Sequence, residues 1–74
     1  MANIASSPGI VIDPDLLGGK PTIAGTRISV DLILEKLGDG ESIDDILRDF
    51  PHLRREQVVD AINYAAQLVR TMSA

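Results

Sequence analysis

At 74 residues the chain is one domain at most, and a domain that small hides only about 60% of the surface its unfolded chain exposes. It has no cysteine and a single histidine, His52, so disulfides are excluded, a metal centre has little to build on, and oligomerisation or a partner is the expected support. Eleven acids against seven Lys and Arg give a net charge of −4, which counts against general nucleic-acid affinity and leaves only a local basic patch for that role.

Residues 1–9 are small and polar and read as a flexible leader, with one domain over residues 10–74. Ile10-Val11-Ile12 is a short β-branched run closed by Asp13-Pro14, the pattern of a short strand. Asp15 to Gly19 turns the chain, and Thr22-Ile23 fits a second extended piece. A hairpin and a pairing between two protomers both suit these segments.

Three helices follow. Ser29 is a good N-cap, because its hydroxyl can accept from the free amides of the first turn. Asp31 suits the positive end of the helix dipole, and Ile28 and Ile33 have the spacing of a hydrophobic staple. Val30, Ile33, Leu34 and Leu37 form one apolar stripe, and Gly38 or Gly40 ends the helix. Ser42 opens the second helix, with Ile43, Ile46, Leu47 and Phe50 facing the core, and Pro51 stops it. The third runs from Arg54 or Arg55 to Thr71. Its apolar positions Val58, Ile62, Ala65, Val69 and Met72 step by four, three, four and three, a seam suited to a dimer or a protein partner. The alternative is that the other two helices cover it. The fold class is mainly α: a short N-terminal β segment or hairpin, then a three-helix bundle with the short linker of a helix-turn-helix.

The stretch GGKPTIAGTR, residues 18–27, invites a nucleotide-loop reading. A phosphate loop needs Gly, four residues, then Gly-Lys-Ser/Thr. Here Pro14 stands at the first glycine and Pro21 at the hydroxyl position, and a proline has no N–H for a phosphate. A structural elbow fits better, with Gly18, Gly19 and Gly25 at bends and Pro21 holding Lys20 extended. Arg27 can tie loop carbonyls or an acid such as Asp13 or Asp15, or meet a partner, and Lys20 can do the same from a loop tip. No catalytic residue and no cofactor is expected. The paired acids Asp44 and Asp45 are already explained by their place at a helix start. A cationic group, Arg48, His52, Arg54 and Arg55, surrounds the turn between helices two and three, with Gln57 just beyond. A helix-turn-helix presents DNA contacts there; a solvated, charged turn is the alternative. Glu56 and Asp60 on the same helix would repel phosphates. No apolar run approaches a membrane span and no signal-peptide pattern opens the chain, so no membrane contact and a cytoplasmic location are expected.

Several spaced pieces agree in order with one family. They are Asp13-Pro14, GGKPTIAGTRISV, the Gly40-Glu41-Ser42 helix start, Asp45-Ile46-Leu47, Phe50-Pro51-His52-Leu53 and Asp60 to Ala65. On these the chain resembles the bacterial and archaeal domain-of-unknown-function family 433, over roughly Ile12 to Ala66. The resemblance implies a homeodomain-like helix-turn-helix fold and a VapB-type antitoxin. Such a protein binds and silences a PIN-like ribonuclease toxin and can repress its own operon by binding operator DNA. Arg54 departs from the Thr or Ser that the family pattern puts at the third helix's N-cap, which implies an anionic contact for Arg54: DNA, a toxin pocket or a neighbouring acid. The chain ends soon after the third helix, so inhibition is expected to be steric, through that helix or the Lys20 loop. The runner-up roles are a stand-alone DNA-binding regulator and a structural oligomerisation module.

Overall fold

The structure is a computed structural model that describes residues 4–72. A three-stranded antiparallel sheet in the order β1-β2-β3 comprises β1 (Ile4–Ser7), β2 (Ile10–Ile12) and β3 (Thr22–Ile23). Helices α1 (Val30–Gly38), α2 (Ile43–Asp49) and α3 (Arg55–Met72) follow. The expected plan, short strands and then three helices, is the one observed.

The leader is the exception. The sequence pattern assigns residues 1–9 to a loose segment, yet Ile4–Ser7 pair with β2, Ile4 opposite Ile12 and Ala5 opposite Val11. Residues 1–3 lie outside the described residues. Gly9 makes the pairing possible. Its φ of +81° reverses the chain in a conformation that a side chain would strain, and a Cβ there would sit 2.6 Å from Asp60 Oδ2 on α3, so the Asp60 carboxylate would have to swing aside. On its other edge β2 pairs with β3 of the same chain, Ile10 opposite Ile23 and Val11 opposite Thr22, the intrachain form of the two pairings that the sequence allows.

Local sequence signals set the helix ends. Ser29 Oγ accepts from the Leu32 N–H at 3.3 Å. α1 closes with the Glu41 N–H on Lys36 O at 3.1 Å and the Gly40 N–H on Leu37 O at 3.0 Å, with Gly40 at φ +95°, a Schellman ending. At α2, Ser42 and Asp45 form a full capping box, 3.1 Å from the Asp45 N–H to Ser42 Oγ and 2.9 Å from the Ser42 N–H to Asp45 Oδ2.

The core joins all three layers: Ile10 and Ile23 from the sheet, Val30 and Ile33 from α1, Ile46 from α2, Leu53 from the turn, and Val58 and Ala61 from α3. Leu34 lies on the expected α1 stripe but is 37% exposed. Helix lengths set where the core stops. Eighteen residues make α3 about 27 Å long, against about 14 Å for the nine of α1. From Ala66 to Met72 every residue of α3 is exposed.

Candidate functional site

The α2–α3 turn is closed by the Leu53 N–H on Phe50 O at 2.9 Å, with the Leu53 side chain buried beneath it. Arg48, His52, Arg54 and Arg55 all stand exposed around it. Each arginine has an acid from the same chain: Arg48 with Asp45, Arg55 with Asp44, and Arg54 with Glu56 at 3.5 Å. The acids expected only to complement a helix dipole therefore also neutralise the patch. The surface is one of mixed sign, and such exposed pairs contribute about 0–1 kcal/mol each. Ser42, through its backbone N–H and then its hydroxyl, holds the Asp45 carboxyl below the ordinary range.

Arg54 has the neighbouring acid that its position implies. Gln57 completes the helix start in place of the absent hydroxyl: its Oε1 accepts from the Arg54 N–H at 2.8 Å, half of a capping box. That contact gives Gln57, a candidate for DNA, a structural use.

The elbow is held by its own hydrogen bonds. Thr22, fully buried, donates from Oγ1 to Lys20 O at 2.7 Å. Thr26 Oγ1 donates to Ile23 O at 2.7 Å and accepts from the Ile28 N–H at 3.0 Å. The Val30 N–H bonds Pro21 O and the Ile23 N–H bonds Ile28 O, both at 2.9 Å. Gly18, Gly19 and Gly25 all have positive φ, as the bends require. Leu17 does too, at +51°, a left-handed position that costs a β-carbon residue about 1–2 kcal/mol; nothing in the residue types marks it.

The two elbow cations differ. Lys20 pairs with Asp31 at 3.3 Å; Ser29 and then Lys20 hold the Asp31 carboxyl below its ordinary range. Arg27 makes neither of its expected contacts. It is exposed and has no ion pair or side-chain hydrogen bond among the described residues, and Asp13 instead accepts from the Asp15 N–H at 2.9 Å. A cleft of about 420 Å³ separates the elbow from the α2–α3 turn, with Arg27 and His52 among its walls.

The third candidate surface is α3. Val58 is fully buried, so it leaves the proposed seam: α1, α2 and the sheet close over this half of the helix. Ile62 and Ala65 are partly buried against the core. Val69 and Met72 are 59% and 77% exposed, and Leu68, on the neighbouring edge, is 47% exposed. Leu34, Ile62, Ala65, Ala66 and Val69 line a shallow apolar groove between α1 and α3, with Arg70 at its side.

Lys36 is a junction that the sequence does not announce. Its Nζ lies 3.0 Å from Asp49 and 3.4 Å from Glu41 and stacks 5.6 Å above the Phe50 ring, joining α1 to the end of α2. The Asp49 hydrogen bond raises its pKa. The one signal the sequence carries for it is a cation in the last turn of α1, at the negative end of the dipole. Among the described residues no group of three or more His, Asp or Glu side chains is placed to hold a metal ion, and no helix is long and apolar enough to cross a membrane.

Residues 10–65 match a family described as "Protein of unknown function (DUF433)". The match runs from β2 to the point where α3 leaves the core. An "Uncharacterized protein y4eO" of Sinorhizobium fredii is 34% identical over 56 residues, covering 76% of this chain and 25% of that protein's length. The chain thus spans about a quarter of the relative it matches. No solved structure matches.

Proposed function

The chain belongs to the DUF433 family, and on that premise we propose that it is a non-enzymatic, antitoxin-like protein that binds and neutralises a PIN-like ribonuclease. One observation carries the choice of a protein as principal partner. Among the described residues, the exposed large apolar side chains other than Val59, namely Leu34, Leu68, Val69 and Met72, lie on the projecting half of α3 and on α1, whereas the arginines of the turn are balanced by acids. Large exposed apolar groups gathered on one face mark protein-binding surfaces, and a polyanion gains little from a neutralised patch. The motif resemblance supplies the class of partner. The same α3 face suits a homodimer, and a cytoplasmic site of action belongs to the same reading.

Co-expression with the product of the adjacent gene tests the proposal. The expected result is a complex that survives size exclusion and a ribonuclease silenced at equimolar ratio. Full nuclease activity with the chain in excess overturns it.

Operator binding is the second reading. It is favoured by Arg48, His52, Arg54 and Arg55 standing exposed on a helix-turn-helix connection, since their weak surface pairs can be exchanged for phosphates. It requires binding that weakens steeply with salt and weakens further in Arg55→Ala.

A further inference from the structure

The chain has more acids than cations, so an unpaired cation is unusual in it. Five of its seven Lys and Arg, namely Lys20, Lys36, Arg48, Arg54 and Arg55, are matched to acids. Arg27 and Arg70 have no ion pair among the described residues, and the elbow that carries Arg27 is tied in place by Thr26. His52, across the cleft, likewise has no hydrogen bond or ion pair among the described residues. Between them lie the side chains of Ile28 and Phe50, half-buried, and of Leu53, buried. Asp49 also lines the cleft, but its carboxylate is taken by Lys36 at 3.0 Å. The result is an apolar floor between two N–H donors with no acceptor of their own.

We propose that this cleft docks a protein segment with one large apolar side chain flanked by carboxylates. The apolar group lies on Ile28, Phe50 and Leu53, and the carboxylates meet the Arg27 guanidinium and the His52 ring. A guanidinium fork on a fixed loop suits a carboxylate in two-point contact. The segment's negative charge is local, so it meets two donors without bringing a long polyanion against a body of net charge −4. The site is separate from the α3 face, although Arg27 stands at the boundary with a second cleft that it lines with Lys20, Asp31 and Glu35. It does not require the partner to be a nuclease: failed neutralisation leaves it standing, and its failure leaves neutralisation standing.

The test uses the full 15N-labelled chain and the capped peptide acetyl-Gly-Glu-Leu-Glu-Gly-amide. Two controls replace both Glu by Lys, or Leu by Ala. The acidic Leu peptide is expected to give saturable shifts at the Gly25, Arg27, Ile28, Phe50 and Leu53 amides. Binding of both controls should be at least about tenfold weaker, and Arg27→Ala should weaken the acidic peptide by about tenfold, the size of one charge-assisted contact. Arg27→Gln serves if the alanine variant does not keep the parent spectrum. Equal binding of the Lys peptide, shifts centred on α3, or no saturable shift up to about 10 mM peptide overturns the proposal. So does a concentration-dependent change at the same amides without peptide, which would make a second copy the occupant, or a response there to a short DNA duplex but not to peptide.

Discussion

The two halves of α3 carry the same apolar rhythm and come to opposite ends. Val58 and Ala61 are fully buried; Leu68, Val69 and Met72, a few turns on, are among the most exposed apolar residues described. Nothing in the spacing separates them. What differs is the opposite wall: α1, α2 and β2 pack against the first half of the helix, whereas α1 meets the second at a shallow open groove beside Leu34. An apolar stripe thus records that a face will be covered, while the packing of neighbouring elements decides whether this chain or another molecule does so.

Substitutions can break this contrast, and the first half should give the largest effect. Val58→Asp puts an uncompensated charge in a fully closed site. It should cost more than about 3 kcal/mol and abolish cooperative thermal unfolding in a domain of this size; a melt like that of the parent would show that the first half is not core. Gln57→Ala removes the acceptor from the Arg54 N–H at the start of the same half. A loss of about 0.5–1 kcal/mol in urea denaturation is expected, and an unchanged midpoint would mean that solvent replaces the bond at no cost.

A smaller effect is expected from acid. The folded carboxyls of Asp31 and Asp45 titrate below their ordinary range, held there by Ser29 and Ser42 respectively. Their stabilisation is therefore complete above the unfolded aspartate value of about 3.9 and is lost as pH falls below it towards the folded values. The thermal midpoint should decline through that window, and Asp45→Asn should flatten the slope; parallel curves for parent and variant would remove the α2 cap from the account. Smallest of all for the fold is Met72→Asp, at a position 77% exposed. Stability should stay within about 0.5 kcal/mol, while sedimentation should show a lighter species if α3 is the homodimer face. An unfolded variant would erase the contrast between the two halves.

Much of the fold was legible because its signals are local. Ser29, Ser42, Gly40 and Pro51 mark helix ends through contacts within a few residues, and GGKPTIAGTR reads as an elbow because its prolines and glycines restrict their own backbone. The candidate sites were legible only as residue types. Arg48, Arg54 and Arg55 looked like a basic patch until acids on both helices proved to be within reach. Arg27 looked tied down, although neither Asp13 nor Asp15 meets it. Leu34 and Val58 looked like equals on two stripes, yet one is exposed and the other closed.

By itself, then, the sequence determined the order of the elements from β2 onward, the ends of the helices, the shape of the elbow and the family. These depend on backbone preferences and near neighbours, which a linear string contains. The tertiary structure alone decided that Ile4–Ser7 would join the sheet, that the turn's arginines would be neutralised, that Arg27 and His52 would share an apolar cleft, and that α3 would outrun its cover. Each of these depends on groups far apart in the chain, and whether they meet is fixed only when the helices pack.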